Sequence, residues 1–418
     1  MRVLLVNTSE HTGGASIAAK RLMKALNENG VEAQMLVRDR LTDQADVITL
    51  PKSSLPKWRF VLERLEIFLI NHFSKVNLFG VDPAFHGNDI TQLAAFQEAD
   101  VIHLHWVNQG MLSLGDIRKI LKCGKPVVWT LHDTWAAMGI CHNPDTCERW
   151  LQSCGNCPLL QRGSENDLSH RTFLRKQRLY GEGKIQFVTC SHWLADVCRR
   201  STLLRDQEIV SIPNPIDTAF FSPGDKHAAR RRQGLPLDKK ILLFVAYKAT
   251  DKNKGIDYLL QAIDLLHERN RALTDQLCMV PVGREAATLK GRFACEVFPQ
   301  EYVSDSQTML DLYRSADLLT MPTLMDNLPN TVVEAMACGV PCVASNVGGL
   351  PQMVTPGKDG YLARLRDAED FAHGIETVLC SENYPQMVEA ARQTALREYS
   401  ETVIAQRYRE VYEKYLKK

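Results

Sequence analysis

The sequence predicts an α/β protein built from two Rossmann-like domains facing each other across a cleft. Three observations carry that prediction. Short apolar runs alternate with longer helical patterns, the alternation comes in two series, and a segment punctuated by Pro and Gly separates them. Strands that alternate with amphipathic helices form parallel βαβ units, because a parallel neighbour is reached only through a crossover. At 418 residues the chain also exceeds what one hydrophobic core usually organises.

The first series reads as strands at residues 3–7, 33–37, 101–106, 127–131, 187–190 and 209–213, which places the first domain at 1–213. Pro213, Pro215, Pro223 and Gly224, then Arg230-Arg231-Arg232 ahead of Gly234 and Pro236, mark 214–240 as linker and the start of the second domain. The three arginines read as a solvated helix face. Strands at 241–246, 278–283, 294–297, 318–322 and 341–345 define a second domain over 241–399. Residues 400–418 read as a helix with an apolar stripe of Val403, Tyr408, Val411, Tyr412 and Tyr415, expected to return to the first domain.

Lys and Arg total 50 against 49 Asp and Glu, a formal net charge of +1, so no global electrostatic footprint points to nucleic acid. Residues 1–7 run directly into an apolar strand, and charges interrupt every long apolar stretch. The expectation is a cytoplasmic chain with no secretory leader and no membrane-spanning helix. Twelve cysteines in such a chain suggest reduced thiols or metal ligands before disulfides.

The most informative segment follows the strand at 318–322. Asp326 and Glu334 lie eight positions apart across a loop-to-helix junction holding Asn327, Leu328, Pro329, Asn330 and Thr331. Asn330 or Thr331 can cap the helix, whose first backbone N–H groups suit a diphosphate. Glu334 is placed to accept hydrogen bonds from vicinal ribose hydroxyls, and Asp326 to reach a sugar. The same spacing also fits an ordinary capped helix with solvated acids. After strand one, Gly13 and Gly14 open a helix and let backbone approach a phosphate or sugar, or simply make a tight βα connection. The strand at 127–131 ends in His132-Asp133-Thr134-Trp135, setting a histidine at the carboxyl edge of the sheet. His103 and His105 on the preceding strand share one face and read as structural.

The 323–349 segment, with Glu334-Ala335-Met336-Ala337-Cys338-Gly339-Val340-Pro341, Gly348-Gly349 and then Gly357 and Gly360, resembles the retaining glycosyltransferases of family 4. Ile212-Pro213-Asn214-Pro215 resembles that family's interdomain strand and linker. The resemblance spans nearly the whole chain and implies the GT-B fold, a nucleotide-diphosphate sugar donor bound by the second domain, and transfer with retention. It implies donor contacts from Gly13, Gly14, Lys254, Asn327, Leu328, Asn330, Thr331 and Glu334, and catalytic roles for His132, Asp326 and Glu334. Two departures stand out. Asp326 replaces the family's usual Glu, and the Gly-Arg five residues before Lys254-Gly255 is absent. Lys248 is the candidate for the missing cation.

Cys141, Cys147, Cys154 and Cys157 follow a Cys-x5-Cys-x6-Cys-x2-Cys pattern within residues 139–158, which suits a closed structural zinc site. An iron–sulfur cluster, free thiols or a disulfide pair remain alternatives. This loop, with His132-Asp133 before it and Trp150 inside it, resembles a branch found among bacterial exopolysaccharide and colanic-acid-type glycosyltransferases.

No two aspartates stand two positions apart, so an Asp-x-Asp metal site is not expected. Lys254, Lys248 and the helix beginning at Asn330 are left to neutralise a departing diphosphate without a catalytic metal. The resemblance thus implies a hexosyltransferase using a UDP- or GDP-sugar, with a saccharide or lipid-linked saccharide acceptor in cell-surface polysaccharide synthesis. A silent sugar-nucleotide sensor, or an epimerase or phosphorylase on the same fold, is the alternative. Residues 55–79 interleave Arg59, Arg64 and Lys75 with Trp58, Phe60, Phe68 and Phe73. That pattern fits peripheral contact with the inner membrane face, or a helix packed on its domain.

Overall fold

The computed structural model describes residues 1–51 and 55–416, with the side chains of residues 55–57 outside the described set. The chain divides into two compact units, Met1–Pro215 joined by the chain from Ile404 onward, and Ile216–Val403.

In the first unit, β1 (Arg2–Ser9), β2 (Glu32–Asp39), β3 (Val47–Thr49), β4 (Val101–Leu104), β5 (Val127–Leu131), β6 (Ile185–Thr189) and β7 (Ile209–Ser211) form one sheet in the order β3-β2-β1-β4-β5-β6-β7. Every strand pair is parallel. The central strands are buried along almost their full length, as expected where helices cover both faces. The pleat splits β5 between two layers. Val127, Trp129 and Leu131 pack with Phe187 and Trp135 on one face, and Val128 joins Leu5, Val37, Ile404, Tyr408 and Tyr412 on the other. The last helix, Glu401–Leu416, thereby packs its tyrosines onto the first unit's sheet.

The second unit holds β8 (Lys240–Lys248), β9 (Leu277–Arg284), β10 (Glu296–Val297), β11 (Leu318–Met321), β12 (Cys342–Ser345) and β13 (Gly360–Ala363), all parallel, in the order β10-β9-β8-β11-β12-β13. Strands β3 and β13 lie outside the sequence expectation. β13 pairs closely because a Cβ on Gly360 would lie 2.0 Å from the Cys342 carbonyl oxygen.

Arg230, expected to be solvated, is buried. Its guanidinium meets Asp317 at 2.6 Å and donates to the carbonyls of Ser315, Leu237 and Lys239. Arg232 pairs with Asp311 through two nitrogens. The helix Lys226–Arg232 is therefore fastened to the second unit by arginine forks.

Each sheet reverses its winding direction once, between β1 and β4 in the first unit and between β8 and β11 in the second. In open α/β sheets, ligands bind beyond the carboxyl ends of the strands at such switch points. Among the described residues no helix is long and apolar enough to cross a membrane.

Candidate functional site

The switch point of the second unit carries a charged pair. Lys254 ends the 3-10 turn Lys252–Lys254 after β8, and its Nζ donates to Asp326 Oδ2, in the loop after β11, at 2.6 Å. Backbone contacts hold these two loops together. Leu324 N and Thr323 Oγ1 both donate to the Asn253 carbonyl. Gly255 has φ +77°, and a Cβ there would lie 1.8 Å from the Pro322 carbonyl oxygen. A third loop closes on the first two. Gly349 N donates to the Asp326 carbonyl, and a Cβ on Gly348, at φ +59°, would lie 1.8 Å from that oxygen.

The helix Asn330–Ala337 follows directly. The cap expected at Asn330 or Thr331 lies elsewhere: Pro329 occupies the N-cap and makes no side-chain capping bond. Proline fixes the entry conformation but has no side-chain oxygen to satisfy the first-turn N–H groups, which suits an anion. Glu334, one turn in, is 8% exposed, and Tyr313 from the helix Ser306–Ser315 donates its hydroxyl to Glu334 Oε2 at 2.6 Å. Leu328 is buried, whereas Asn327, Asn330 and Thr331 are half-buried.

Lys248 ends β8 but bonds Glu285 at 2.9 Å, both side chains about half exposed. Beside it in register lies Arg284, a cation that sequence reasoning missed. Its guanidinium sits 4.6 Å from the Tyr247 ring centroid and 5.8 Å from that of Tyr302. The signal for it was its place at the carboxyl end of a strand, directly after Gly283. A Cβ on Gly283 would lie 2.0 Å from the Ala246 carbonyl oxygen.

In the first unit, Gly13 has φ +87° and N-caps the helix Gly14–Glu28. A Cβ on Gly13 or Gly14 would meet nothing within 4 Å, so both glycines front open space. Behind them Glu10 is buried and accepts from Lys20 and from the backbone of Leu41 and Thr42. Burial pushes its carboxyl up, but these bonds and that from the Thr42 hydroxyl outweigh it and hold the group at about 2.

His132, half-buried beyond β5, has its Nε2 3.0 Å from His105 Nδ1. His103 continues the row, with Nδ1 2.7 Å from the Tyr412 hydroxyl and Nε2 2.7 Å from Thr130 Oγ1. Burial lowers all three imidazoles, His132 to about 4, His103 to about 3 and His105 well below its ordinary value. Neutral rings at neutral pH follow. His105, read as structural from the sequence, therefore touches the histidine singled out for the site. Asp133 faces another way, accepting from Trp106 Nε1, the Trp135 amide and His142 Nδ1. Burial raises Asp133 but the His142 contact and these bonds lower it further, while burial lowers His142 and Asp133 raises it by more.

The four cysteines of the loop expected to hold zinc, Cys141, Cys147, Cys154 and Cys157, line one small pocket with Trp150 and Ser169. Among the described residues no three His, Cys, Asp or Glu side chains are gathered to hold a metal ion. Backbone and side-chain hydrogen bonds close the loop. Cys154 N donates to the Arg149 carbonyl, Gly155 N to Ser169 Oγ, and Cys157 N to Asp167 Oδ2. Burial raises the thiols, Cys154 to about 11 and Cys141 and Cys157 above their ordinary value. Cys141, Cys147 and Cys157 line a cavity of about 690 Å³ with Asn143 and Arg149.

Residues 12–220 match the family described as Glycosyltransferase Family 4, and residues 239–381 match that described as Glycosyl transferases group 1. A D-inositol 3-phosphate glycosyltransferase of Nocardiopsis dassonvillei is 32% identical over 186 residues, 42% of this chain and 43% of that protein. The chain thus spans less than half the length of that relative. One with the same name from Corynebacterium aurimucosum is 26% identical across 89% of this chain and 84% of its own. Among solved structures, sucrose-phosphate synthase from Thermosynechococcus elongatus superposes with a TM-score of 0.67 at 16% identity, covering 99% of this chain and 98% of that one. Anabaena HepE in complex with UDP gives 0.64 at 15% identity, covering 99% and 100%. These structures share the fold of two parallel-sheet α/β domains.

Proposed function

Because the chain belongs to glycosyltransferase family 4, we propose that it transfers a sugar, with retention, from a nucleotide-diphosphate sugar to a hydroxyl of a saccharide, lipid-linked saccharide or related polyol. The observation that carries this reading is the Lys254–Asp326 pair at the switch point of the second sheet, beside the helix that bears Glu334. A diphosphate leaving group develops negative charge as its bond to the sugar breaks, and catalysis requires fixed positive groups aimed at that charge. Lys254 supplies one. The first-turn N–H groups of the helix Asn330–Ala337 supply others, with the helix dipole behind them.

Diphosphate binding would draw Lys254 partly away from Asp326 and leave that carboxylate for the hydroxyls of the transferred sugar. Glu334, held by Tyr313, accepts from the two ribose hydroxyls. In the first unit, His132 and the Gly13–Gly14 turn are assigned to substrate, with His132 neutral and able to donate or accept one hydrogen bond. HepE structures that contain UDP-glucose, or UDP with glucose, support a nucleotide-sugar donor. The relatives' names point to an inositol phosphate acceptor, whereas the exopolysaccharide assignment rests on the cysteine loop alone.

The test is incubation with UDP- and GDP-sugars, with and without D-inositol 3-phosphate or oligosaccharide acceptors, following nucleoside diphosphate release and product anomer by NMR. Acceptor-dependent release with retained configuration is expected. A sugar nucleotide isomerised without release would refute transfer.

A further inference from the structure

The helix Leu55–Ile70 turns its apolar side outward. At 100° per residue, Glu63, Arg64 and Ile67 share one face and are buried. Trp58, Val61, Leu62, Leu65 and Leu69 occupy one narrow arc on the opposite face and are exposed, Trp58 by 59% and Leu69 by 47%. Past the helix, Phe73, Val76 and Phe79 are also exposed, Phe73 by 70%.

Buried charge fixes this orientation. Arg64 donates to the Leu78 carbonyl at 2.7 Å and meets Glu63 and Asp82, and Glu63 Oε1 accepts from the Phe85 amide. Rotating the apolar stripe inward would strip these groups of their partners, which buried charges cannot lose cheaply. The stripe itself carries no charge. At its margins stand Lys75, which is exposed, and Arg59, which is half-buried and also donates to Asn88 Oδ1. Glu66, the margin's acid, pairs with His86.

We propose that this face docks the chain on an anionic lipid bilayer, the helix lying in the interface with Trp58 near one end and Phe73 and Phe79 beyond the other. An exposed apolar patch of this extent marks an interaction surface. Aromatic residues at both ends and basic residues alongside match the headgroup region of an anionic leaflet. A second copy pairing about a two-fold axis would instead bring the same basic margins together. The inference stands apart from the transfer reading, and donor turnover without lipid separates the two failures.

The experiment is co-sedimentation of the full chain with phosphatidylglycerol-containing vesicles, beside analytical ultracentrifugation without lipid. Wild type should bind, with binding reduced by added salt. Leu65→Glu, at an exposed position, should bind at least tenfold more weakly while keeping the wild-type melting temperature and donor turnover. Absence of vesicle binding, unchanged binding by Leu65→Glu, or a dimer that dissociates on that substitution would each overturn the proposal.

Discussion

Lys254 Nζ and Asp326 Oδ2 lie 2.6 Å apart, joining the loop after β8 to the loop after β11 at the point where the second sheet reverses direction. On the proposed reading, the pair sets a lysine and a carboxylate where the diphosphate and the sugar part. Lys254→Ala is expected to lower kcat/KM for the donor about 10²-fold, the magnitude typical of losing one charge-stabilising group. Lys248→Ala removes a side chain already paired with Glu285 and should change it by less than about threefold. Steady-state kinetics on both variants check this, and the reverse ranking would move the diphosphate site to the end of β8.

Tyr313 is fully buried and donates to Glu334 at 2.6 Å. Tyr313→Phe keeps the ring and removes the donor, so Glu334 loses that hydrogen bond while the core stays filled. The expected result is a rise in donor KM of roughly tenfold, about 1.4 kcal/mol, with kcat little changed. A variant whose kcat falls at constant KM would show that the tyrosine acts otherwise.

Gly348 is required by its surroundings, since its φ is +59° and a Cβ would lie 1.8 Å from the Asp326 carbonyl oxygen. Gly348→Ala must displace the loop bearing Asp326. A loss of about 1–3 kcal/mol in denaturant unfolding is expected, together with weaker donor binding. Gly14→Ala, in open space and without positive φ, should leave stability within about 1 kcal/mol of wild type.

The row of His103, His105 and His132 makes stability depend on pH. Burial depresses these imidazoles below their ordinary 6.5, to about 3 and about 4 for His103 and His132. Between pH 6.5 and about 4 the unfolded chain therefore takes up protons that the folded chain does not. Their contribution is present above 6.5 and is lost as pH falls through that window, by up to about 1.4 kcal/mol per pH unit for each histidine. Melting temperatures at pH 7.5 and 5 should show the drop, and His132→Asn should make it shallower. Parallel curves for the two proteins would contradict this.

Much of this architecture was legible in the residues themselves. The runs that became β1, β5, β6, β8 and β9 are short, apolar and bounded by turn residues, because both faces of a parallel sheet are covered. Strands β3 and β13 escaped the sequence reading, and their length does not explain it, since β7 and β10 are as short or shorter and were read. Arg230 escaped because its partner Asp317 lies 87 residues away, and nothing local distinguishes a buried guanidinium from a solvated one. The contact of His105 with His132 escaped for a related reason. It depends on β4 and β5 being neighbours in register, which is a property of the sheet. The cysteine spacing was equally plain, and the folded loop sets all four cysteines around one small pocket, but ligand geometry is a property of that folded loop and not of the spacing.

On the proposed function, the carboxyl edge of β8 and β11, with the helix Asn330–Ala337, holds a nucleotide-diphosphate sugar. Calorimetric titration of UDP- and GDP-sugars into wild type and Glu334→Gln tests it most directly, with thermal unfolding to confirm that both are folded. Wild type should bind at least one of these donors, and Glu334→Gln should bind it roughly tenfold more weakly, a loss of about 1.4 kcal/mol. Equal affinity in the two folded proteins would contradict the claim.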